Sequence, residues 1–361
     1  MSKIIGYTSM MSAESMNLPY LEALKTWSYT CDKIAICYST FPDLGIKAPK
    51  GAVAPWEEDK TIDILQKFDD QVLDDKLVLC KHEWRPDFPR EDGFTKQLAR
   101  NLAMELAGPN DWLAHFDADE CLPEKHAAKL MEIVQTQEQS GVDKVPYIST
   151  GILEMFGGHD KVRLDFGSWI KLRMTRRIPD IVHDMPLWAR TRHPETGQII
   201  ALENRDDGAG MMFNRSMNRP DLNTGHVLCN LRPLGIVREI IQQRINEGDE
   251  TLYQKDYADA MNGFLQDLEQ GLYIFHAGWI DIARKWRMGW FWDNAWSVLN
   301  GNQKTFTEKV KESGTFTMTR QPKNLKKELA REMDRPSIIP IKNEYPTAYG
   351  QIKKWRKENE L

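Results

Sequence analysis

Short apolar runs alternate with amphipathic segments through the first part of the chain. The apolar runs have the length of buried strands, whereas the amphipathic segments repeat apolar residues every three or four positions, as one face of a helix does. Leu98, Leu102 and Leu106 recur in this way before Gly108-Pro109, a pair that ends helices. The pattern predicts strands at 3–9, 33–39, 76–84 and 111–116, and helices at 17–27, 61–72, 95–108 and 123–137.

Strands that alternate with helices predict an α/β fold with a mostly parallel sheet covered by helices on both faces. In such sheets ligands bind at the carboxyl ends of the strands. The pattern is less regular from about 140 to 235 and has turn composition without a clean period at 203–221. We therefore predict a main domain at 1–235, a helical acceptor-side segment at 236–301 that closes the site, and a basic C-terminal appendage at 302–361.

Composition indicates a globular protein with a large core, since 41% of the 361 residues are hydrophobic and 12 are Trp. The five Cys residues are scattered without a CxxC pair, which argues against a disulfide framework and against a thiolate zinc site. The N-terminus shows no leader pattern, and no window approaches an apolar membrane span. We expect a cytoplasmic protein with free thiols.

Charge is distributed unevenly along the chain. Residues 302–361 carry 14 Lys and Arg against 8 Asp and Glu, whereas the net charge of the whole chain is −5. Two interpretations stay open for this basic segment, namely contact with an anionic partner and a solvated helical face.

An acidic cluster follows the apolar run "WLAHF": Asp117, Asp119 and Glu120 lie within four positions. At an extended strand end the two aspartates project to the same side, where they repel each other unless a cation lies between them. Oxygen ligands of this kind prefer Mg²⁺ or Mn²⁺, which complete their shells with water and substrate phosphates. A calcium loop of the EF-hand type is excluded, because Cys121 and Leu122 occupy the positions of its ligand and glycine.

A structural role competes with metal binding at this cluster. Acidic residues at a helix entrance interact favourably with the helix dipole, which accounts for Glu120 and Glu124 before and within the helix at 123–137. It accounts less well for Asp117 and Asp119, which precede the turn.

The segment "QLARNLAMELAGPNDWLAHFDADECL" resembles the core of GT-A fold, nucleotide-sugar-dependent glycosyltransferases of the family 2 type. The resemblance lies in an Arg-Asn pair on a helix, a turn ending the helix at Gly, an apolar strand and the Asp-Ala-Asp-Glu run. It implies a Rossmann-like sheet flanked by helices, an irregular acceptor-side region, a nucleoside diphosphate sugar as donor, and Mn²⁺ or Mg²⁺ as cofactor.

The resemblance also implies roles for individual residues. Asp119 would be the principal metal ligand, and Asp117 would contact the ribose, the metal or its bound water. Arg100 and Asn101 match the Arg-Asn pair, which would pack under the donor, although Arg100 also fits a surface charge on a helix.

Two further residues match donor-side positions of the same family. Thr8, at the end of the first strand, would lie near the nucleotide, and Arg90 would approach the diphosphate. Tyr38 and Ser39 depart from the family, which usually has an aspartate for the base at the end of the second strand. The identity of the nucleotide therefore stays open.

Inverting sugar transfer needs a base that takes the proton of the acceptor. "LRMTRRIPDIVHDMPLW" resembles the family's segment with His and an acidic residue, here His183-Asp184, so Asp184 is the candidate base. It is shorter than the usual Glu, and capping of a helix before Pro186 is the competing role. His276 in "FHAGW" is the candidate third metal ligand, and His226 is its rival.

These residues predict a metal-dependent, inverting glycosyltransferase that acts on an acceptor hydroxyl, with a glycan as the first choice of acceptor. A nucleic-acid acceptor, such as hydroxylated bases in modified viral DNA, stays open because of the basic stretches 161–177 and 302–361. A metal-dependent nucleotidyltransferase and a non-catalytic nucleotide-sugar-binding protein are the alternatives of other classes. Five tryptophans crowd the stretch after residue 278, and they are expected to be mostly core, with a stacking platform for a sugar or a base from one or two of them as the open alternative: Trp279, Trp286, Trp290, Trp292 and Trp296.

Overall fold

The computed structural model describes residues 2–41, 59–83, 91–139, 147–164, 170–177 and 273–285, the short segments 181–182, 189–192, 199–202, 226–227 and 338–341, the C-terminal residues 345–361, and isolated positions within 258–266 and 327–333.

The helices and strands of the first half are β1 (Ile4–Met11), α1 (Tyr20–Trp27), β2 (Lys33–Ser39), α2 (Thr61–Phe68), β3 (Leu77–Lys81), α3 (Glu91–Leu106), β4 (Trp112–His115), β5 (Glu120–Cys121) and α4 (Glu124–Gln139). Each strand and helix predicted in this half is present, and their ends differ from the prediction by a few residues. A π-helical turn at Asp69–Leu73 prolongs α2.

The remaining elements are β6 (Tyr147–Phe156), β7 (Lys161–Arg163), β8 (Ile170–Arg176), β9 (Ile181–Val182), β10 (Ala189–Arg192), β11 (Ile199–Leu202), β12 (His226–Val227), β13 (Tyr273–Trp279), β14 (Ile338–Pro340) and α5 (Tyr345–Glu358).

The main sheet is parallel only in its N-terminal part. Strands β3, β2, β1 and β4 lie side by side and parallel, so that their carboxyl ends meet at one edge. Beyond β4 the sheet continues through β8, β6, β7 and β14 with antiparallel pairs, whereas β12 and β13 add to β6 in parallel. The expected mostly parallel sheet is therefore a mixed sheet.

Helices cover both faces of the parallel part. Strand β1 alternates its side chains between the faces: Ile5 and Tyr7 pack with Ala99, Ala103 and other residues of α3. Its even-numbered positions join the larger core under α1, α2 and α4 on the other face. The small alanines of α3 let this helix approach the sheet closely, which brings its polar side chains to the edge where the strands end.

The C-terminal segment is part of the core where the structure describes it, and the expected appendage is corrected there. Strand β14 extends the main sheet by pairing with β7. Helix α5 buries Ile352 and Trp355 in the larger core, and the Trp355 indole packs edge-on against Phe68 at 5.0 Å between ring centroids. Its charge pattern hid this role, because only one face of α5 is apolar.

The four cysteines that the structure describes, Cys31, Cys37, Cys80 and Cys121, are free thiols. Among the described residues, no helix is long and apolar enough to cross a membrane.

Candidate active site

The acidic loop, residues 116–119, lies at the carboxyl end of β4, where the sequence pattern placed it. Strand β4 ends at His115, and the chain turns through Asp117 to Asp119 into β5. Strand β5 pairs antiparallel with β13, with His276 opposite Glu120, and the Ala277 N–H donates to the Asp119 carbonyl at 2.6 Å. Strand β13 therefore fixes the loop from a distant part of the chain.

His276 lies between two carboxylates. Its Nε2 is 3.2 Å from Asp119 Oδ2, and its Nδ1 is 2.5 Å from Glu154 Oε2. The contact with Glu154 follows from the sheet, because His276 and Glu154 are direct partners in the parallel β13–β6 ladder. Sequence reasoning missed Glu154, which only the strand pairing brings to the site.

Electrostatics couple these three side chains tightly. Burial by itself would lower the pKa of His276, but the charges of Asp119 and Glu154 outweigh it and raise this pKa well above the usual value. Burial would raise the pKa of Asp119, yet the charge and hydrogen bond of His276, with a smaller contribution from Lys285, hold it below the usual range. The Asp119 carboxylate is therefore ionised at neutral pH.

Gly278 has no side chain, and this leaves room for the Asp119 and His276 side chains to lie close to its backbone. A Cβ at this position would lie 2.8 Å from Asp119 Oδ2 and 2.9 Å from His276 Cε1, closer than real Cβ atoms come to such atoms. A side chain at position 278 would therefore have to displace the end of the Asp119 or His276 side chain.

The residues present fit a divalent cation through two protein ligands. Two ligands about 2.1 Å from one octahedral ion are about 3 Å apart when adjacent, and Asp119 Oδ2 and His276 Nε2 are 3.2 Å apart. In the described part of the chain, no group of three or more His, Cys, Asp and Glu side chains is arranged to hold a metal ion. A metal held here would thus take most of its shell from water and a ligand's phosphates, as Mg²⁺ and Mn²⁺ do.

Asp117 has a different set of partners from Asp119. Its carboxylate accepts a hydrogen bond from Lys96 Nζ at 2.7 Å and lies 3.8 Å from His115 Nε2. Lys96 is on α3, one turn before Arg100, so both basic side chains reach the site from the same helix. Sequence reasoning missed Lys96, although the four-residue spacing from Arg100 was a usable signal.

Glu120 supports the loop and does not serve the helix entrance, which corrects the sequence-based expectation. Its side chain is 0% exposed, accepts a hydrogen bond from the Asp117 N–H at 2.9 Å, and forms an ion pair with Arg173 of β8. Arg173 also contacts His115 Nδ1 at 3.1 Å. Glu124, by contrast, is exposed in the first turn of α4, where an acidic residue suits the helix dipole.

Arg100 is not a surface charge, because it is only 2% exposed. One of its nitrogens is 3.5 Å from Asn101 Oδ1, and its Nε and Nη1 have no hydrogen-bond partner among the described residues. Burial lowers the pKa of Arg100, and burial raises the pKa of its neighbour Tyr7 to about 12. Asn101 itself is exposed.

Thr8 lies inside β1, three residues before the strand ends at Met11, and not at the strand end as the sequence suggested. Its side chain is buried on the face opposite to Tyr7, whose ring contacts His115 at 5.1 Å between centroids. Tyr7 thus faces Asp117, whereas Thr8 faces the larger core.

Several predicted residues lie outside the described part of the chain: Arg90, His183, Asp184, Trp286, Trp290, Trp292 and Trp296. The backbone of His226 is described and pairs with Ile148 at the start of β6, whereas Glu154 and His276 meet near the end of that strand. The strand pairing therefore brings His276 to the acidic loop. Trp279 is half-buried and stacks with Phe156, with Lys285 Nζ 5.3 Å from its ring.

Fold and site together define an α/β protein with carboxylate, histidine and cationic side chains at the carboxyl end of its parallel strands. No protein-family model matches the chain, and no curated protein matches it.

Solved structures match it distantly. S. aureus TarS 1-349 is 11% identical over 87% of this chain and 92% of that one, with a TM-score of 0.31. In the match to another S. aureus TarS structure the chain spans 28% of that chain, at 11% identity over 48% of this one and a TM-score of 0.28. A nucleoside-diphosphate-sugar pyrophosphorylase from Vibrio cholerae RC9 is 12% identical over 66% of this chain and 88% of that one, with a TM-score of 0.23. These matches are too distant to define family or function.

Proposed function

We propose that this protein is a metal-dependent glycosyltransferase that moves a sugar from a nucleoside diphosphate sugar to an acceptor hydroxyl, with inversion. The observation that carries the proposal is the pair formed by Asp119 and His276 at the end of the parallel strands, with Glu154 behind the imidazole. Carboxylate and imidazole ligands in an otherwise open shell suit a Mn²⁺ or Mg²⁺ ion that shares a diphosphate.

Asp119 and His276 would hold the metal, and Glu154 would orient His276. The Glu154 carboxylate accepts a hydrogen bond from protonated Nδ1, and Nε2, which faces Asp119, would give up its proton to become the ligand atom. When bound, the metal would neutralise charge on the departing diphosphate.

The cationic side chains around the loop favour a ligand that carries phosphate groups. Arg100 is buried without a carboxylate partner among the described residues, and Lys285 is close enough to Asp119 to lower its pKa. Arg100 would donate hydrogen bonds to a phosphate oxygen, and Lys285 would contribute a compact charge. Asp117, already paired with Lys96, would position the donor's ribose or a metal-bound water.

Asp184 would be the base that takes the proton of the acceptor hydroxyl. The family resemblance of its segment supports this role. An Asp184→Asn variant should bind the donor normally and lose sugar transfer, whereas unaltered turnover would remove Asp184 from the mechanism.

Thermal-shift measurements with UDP-, GDP-, CMP- and dTDP-sugars, with and without Mn²⁺, would test the proposal. We expect one diphosphate nucleotide to raise the melting temperature only when Mn²⁺ is present, and we expect Asp119→Ala to abolish that shift. The matched control is Asp74→Ala, a carboxylate in the turn before β3, which should leave the shift intact. A protein that responds to no nucleotide would contradict the proposal.

A metal-dependent shift without sugar release would indicate a nucleotide-sugar-binding protein. Incubation of the stabilising donor with candidate glycans, and detection of the released nucleoside diphosphate, would separate binding from transfer.

A further inference from the structure

A cavity of about 580 Å³ lies behind β13, lined by the loop after β1, by α1, by the residues that follow β13 and by α5. His276 and Gly278 of β13 face Asp119, whereas Ala277 between them contributes to this cavity. Because successive side chains of a strand point to opposite faces, the cavity is separate from the acidic loop.

A carboxyl group lies deep in this cavity. Glu22, in the first turn of α1, is only 7% exposed and forms no ion pair with the described residues. Its burial raises its pKa to about 7, although Arg356 acts in the opposite direction. Arg356, which lines the same cavity, is bound to Glu14, so the Glu22 carboxyl can bind a hydrogen-bond donor of a ligand.

Two lysines line the same cavity from α5. Lys353 and Lys357 are four residues apart, so they share one face of the helix, and neither pairs with a described carboxylate. Lys354, the next residue, does not line the cavity and pairs with Glu358 at 3.7 Å. Lys353 and Lys357 can therefore each bind an anionic group of a ligand, whereas Lys354 is already paired with Glu358.

The walls between these groups are held in place by buried and partly buried hydrogen bonds. Arg284 is largely buried and donates to the carbonyl oxygens of Met16, Asn17 and Gly278 at 3.3, 2.9 and 2.9 Å. Arg356 contacts both oxygens of Glu14 at 2.9 Å. The cavity is therefore built from fixed walls before any ligand enters, which lowers the entropy cost of binding.

We infer that this cavity is a second binding site, which takes a small hydroxylated anion such as a phosphorylated or carboxylated sugar. The anionic group would contact Lys353 and Lys357, and a hydroxyl would donate to Glu22. Leu18, Ile280 and the Tyr349 ring would pack against the ligand's carbon skeleton. The inference does not rest on the proposed function, because it uses none of the residues at the acidic loop.

Isothermal titration calorimetry on the full chain with EDTA would test this site. The probes are glucose 6-phosphate, glucuronate, glucose and inorganic phosphate. We expect one of the two sugar anions to bind most tightly, and glucose and inorganic phosphate to bind more weakly. Tighter binding of glucose 6-phosphate would show a preference for phosphate, and tighter binding of glucuronate a preference for carboxylate. The double variant Lys353→Ala and Lys357→Ala should weaken that anion about tenfold or more, and the matched control Lys354→Ala should leave its affinity unchanged.

A Glu22→Gln variant tests the contact with the ligand's hydroxyl separately from the contacts with its anionic group. It should weaken the sugar anion and leave inorganic phosphate unaffected, because phosphate would contact only the lysines. Absence of binding by every probe would overturn the inference, as would equal weakening by Lys354→Ala. Binding that is lost in Arg100→Ala but kept in the lysine double variant would place the anion at the acidic loop instead, and would also overturn it.

Discussion

Asp117 and Asp119 are two residues apart, yet they belong to chemically different environments. On the α3 side, Asp117 meets Lys96, so its charge is balanced by a cation. On the β13 side, Asp119 meets His276, whose other nitrogen is bound by Glu154. The α3 side thus has the chemistry to bind phosphate and ribose, and the β13 side has the ligand atoms that suit a metal.

The difference shows that one loop can hold two carboxylates with different partners. The Asp117 carboxylate is paired with a lysine at 2.7 Å. The Asp119 carboxylate is instead hydrogen-bonded to the His276 imidazole at 3.2 Å, beside a glycine that leaves room for both. Glu120 connects the two sides. Its side chain accepts a hydrogen bond from the Asp117 backbone N–H, and its backbone lies opposite His276 in the β5–β13 pair.

Removing the Glu120 charge should have the largest effect on stability, because the Glu120 side chain holds the backbone of Asp117 and its strand pairs with the strand of His276. In Glu120→Gln the buried Arg173 charge loses its counter-ion, which should reduce the free energy of unfolding by about 3 kcal/mol or more. Urea denaturation measures this change. The control Glu124→Gln, at an exposed position of α4, should stay within about 0.5 kcal/mol of wild type. Equal losses in the two variants would show that Glu120 is not the link.

Neutralising each aspartate in turn tests the division between the sides directly. Asp119→Asn should weaken Mn²⁺ binding by more than about 100-fold, beyond the effect typical of outer-shell partners. Asp117→Asn should weaken it less than about tenfold, because Lys96 already balances that charge. Mn²⁺ binding can be followed by electron paramagnetic resonance. If the two variants lose the same affinity, both aspartates bind the metal and the division is wrong.

Glu154→Gln tests whether the Glu154 charge orients His276 for metal binding on the β13 side. It keeps the size of the side chain and removes the charge that orients His276, so Mn²⁺ affinity should fall by about 10- to 100-fold. The free energy of unfolding should change little by comparison. Calorimetric titration with Mn²⁺ provides the measurement, and an unchanged affinity would show that His276 is positioned by the strand alone.

Gly278→Ala has the smallest expected effect. Its Cβ would push Asp119 and His276 apart, and we expect Mn²⁺ affinity to fall by about tenfold, within the range for outer-shell changes. Gly350→Ala is the matched control, since a Cβ there meets nothing within 4 Å in the middle of α5. It should leave Mn²⁺ binding unchanged and raise the free energy of unfolding by about 0.5–1 kcal/mol. Similar affinities in both variants would contradict a packing role for Gly278.

The sequence predicted the local elements well and the long-range pairs only in part. Strand β2 matches its predicted range in full, and the predicted helix and strand around Arg100 and before Asp117 are present as α3 and β4, because periodicity and the Gly-Pro stop are local signals. His276 was predicted from a motif. Glu154 and Arg173 were missed, because nothing in the sequence near them indicates which strand they will face.

The residues near the acidic loop show the same limit. Lys96 lies in the helix that was predicted, and its spacing from Arg100 was visible, but its pairing with Asp117 depends on how α3 packs against β1. Glu120 was assigned to the helix entrance because its neighbours in sequence include a helix start. Its actual partner, Arg173, comes from a strand that joins β4 in antiparallel orientation.

The sequence by itself determined that charge concentrates at the end of a buried strand, since hydrophobic periodicity and residue type are properties of short segments. Only the tertiary structure decided how that charge is divided, with Asp117 turned to α3 and Asp119 to β13. The physical reason is that a carboxylate's role depends on the charges and hydrogen-bond partners within a few ångströms of it, and here those partners come from strands and helices far apart in the chain.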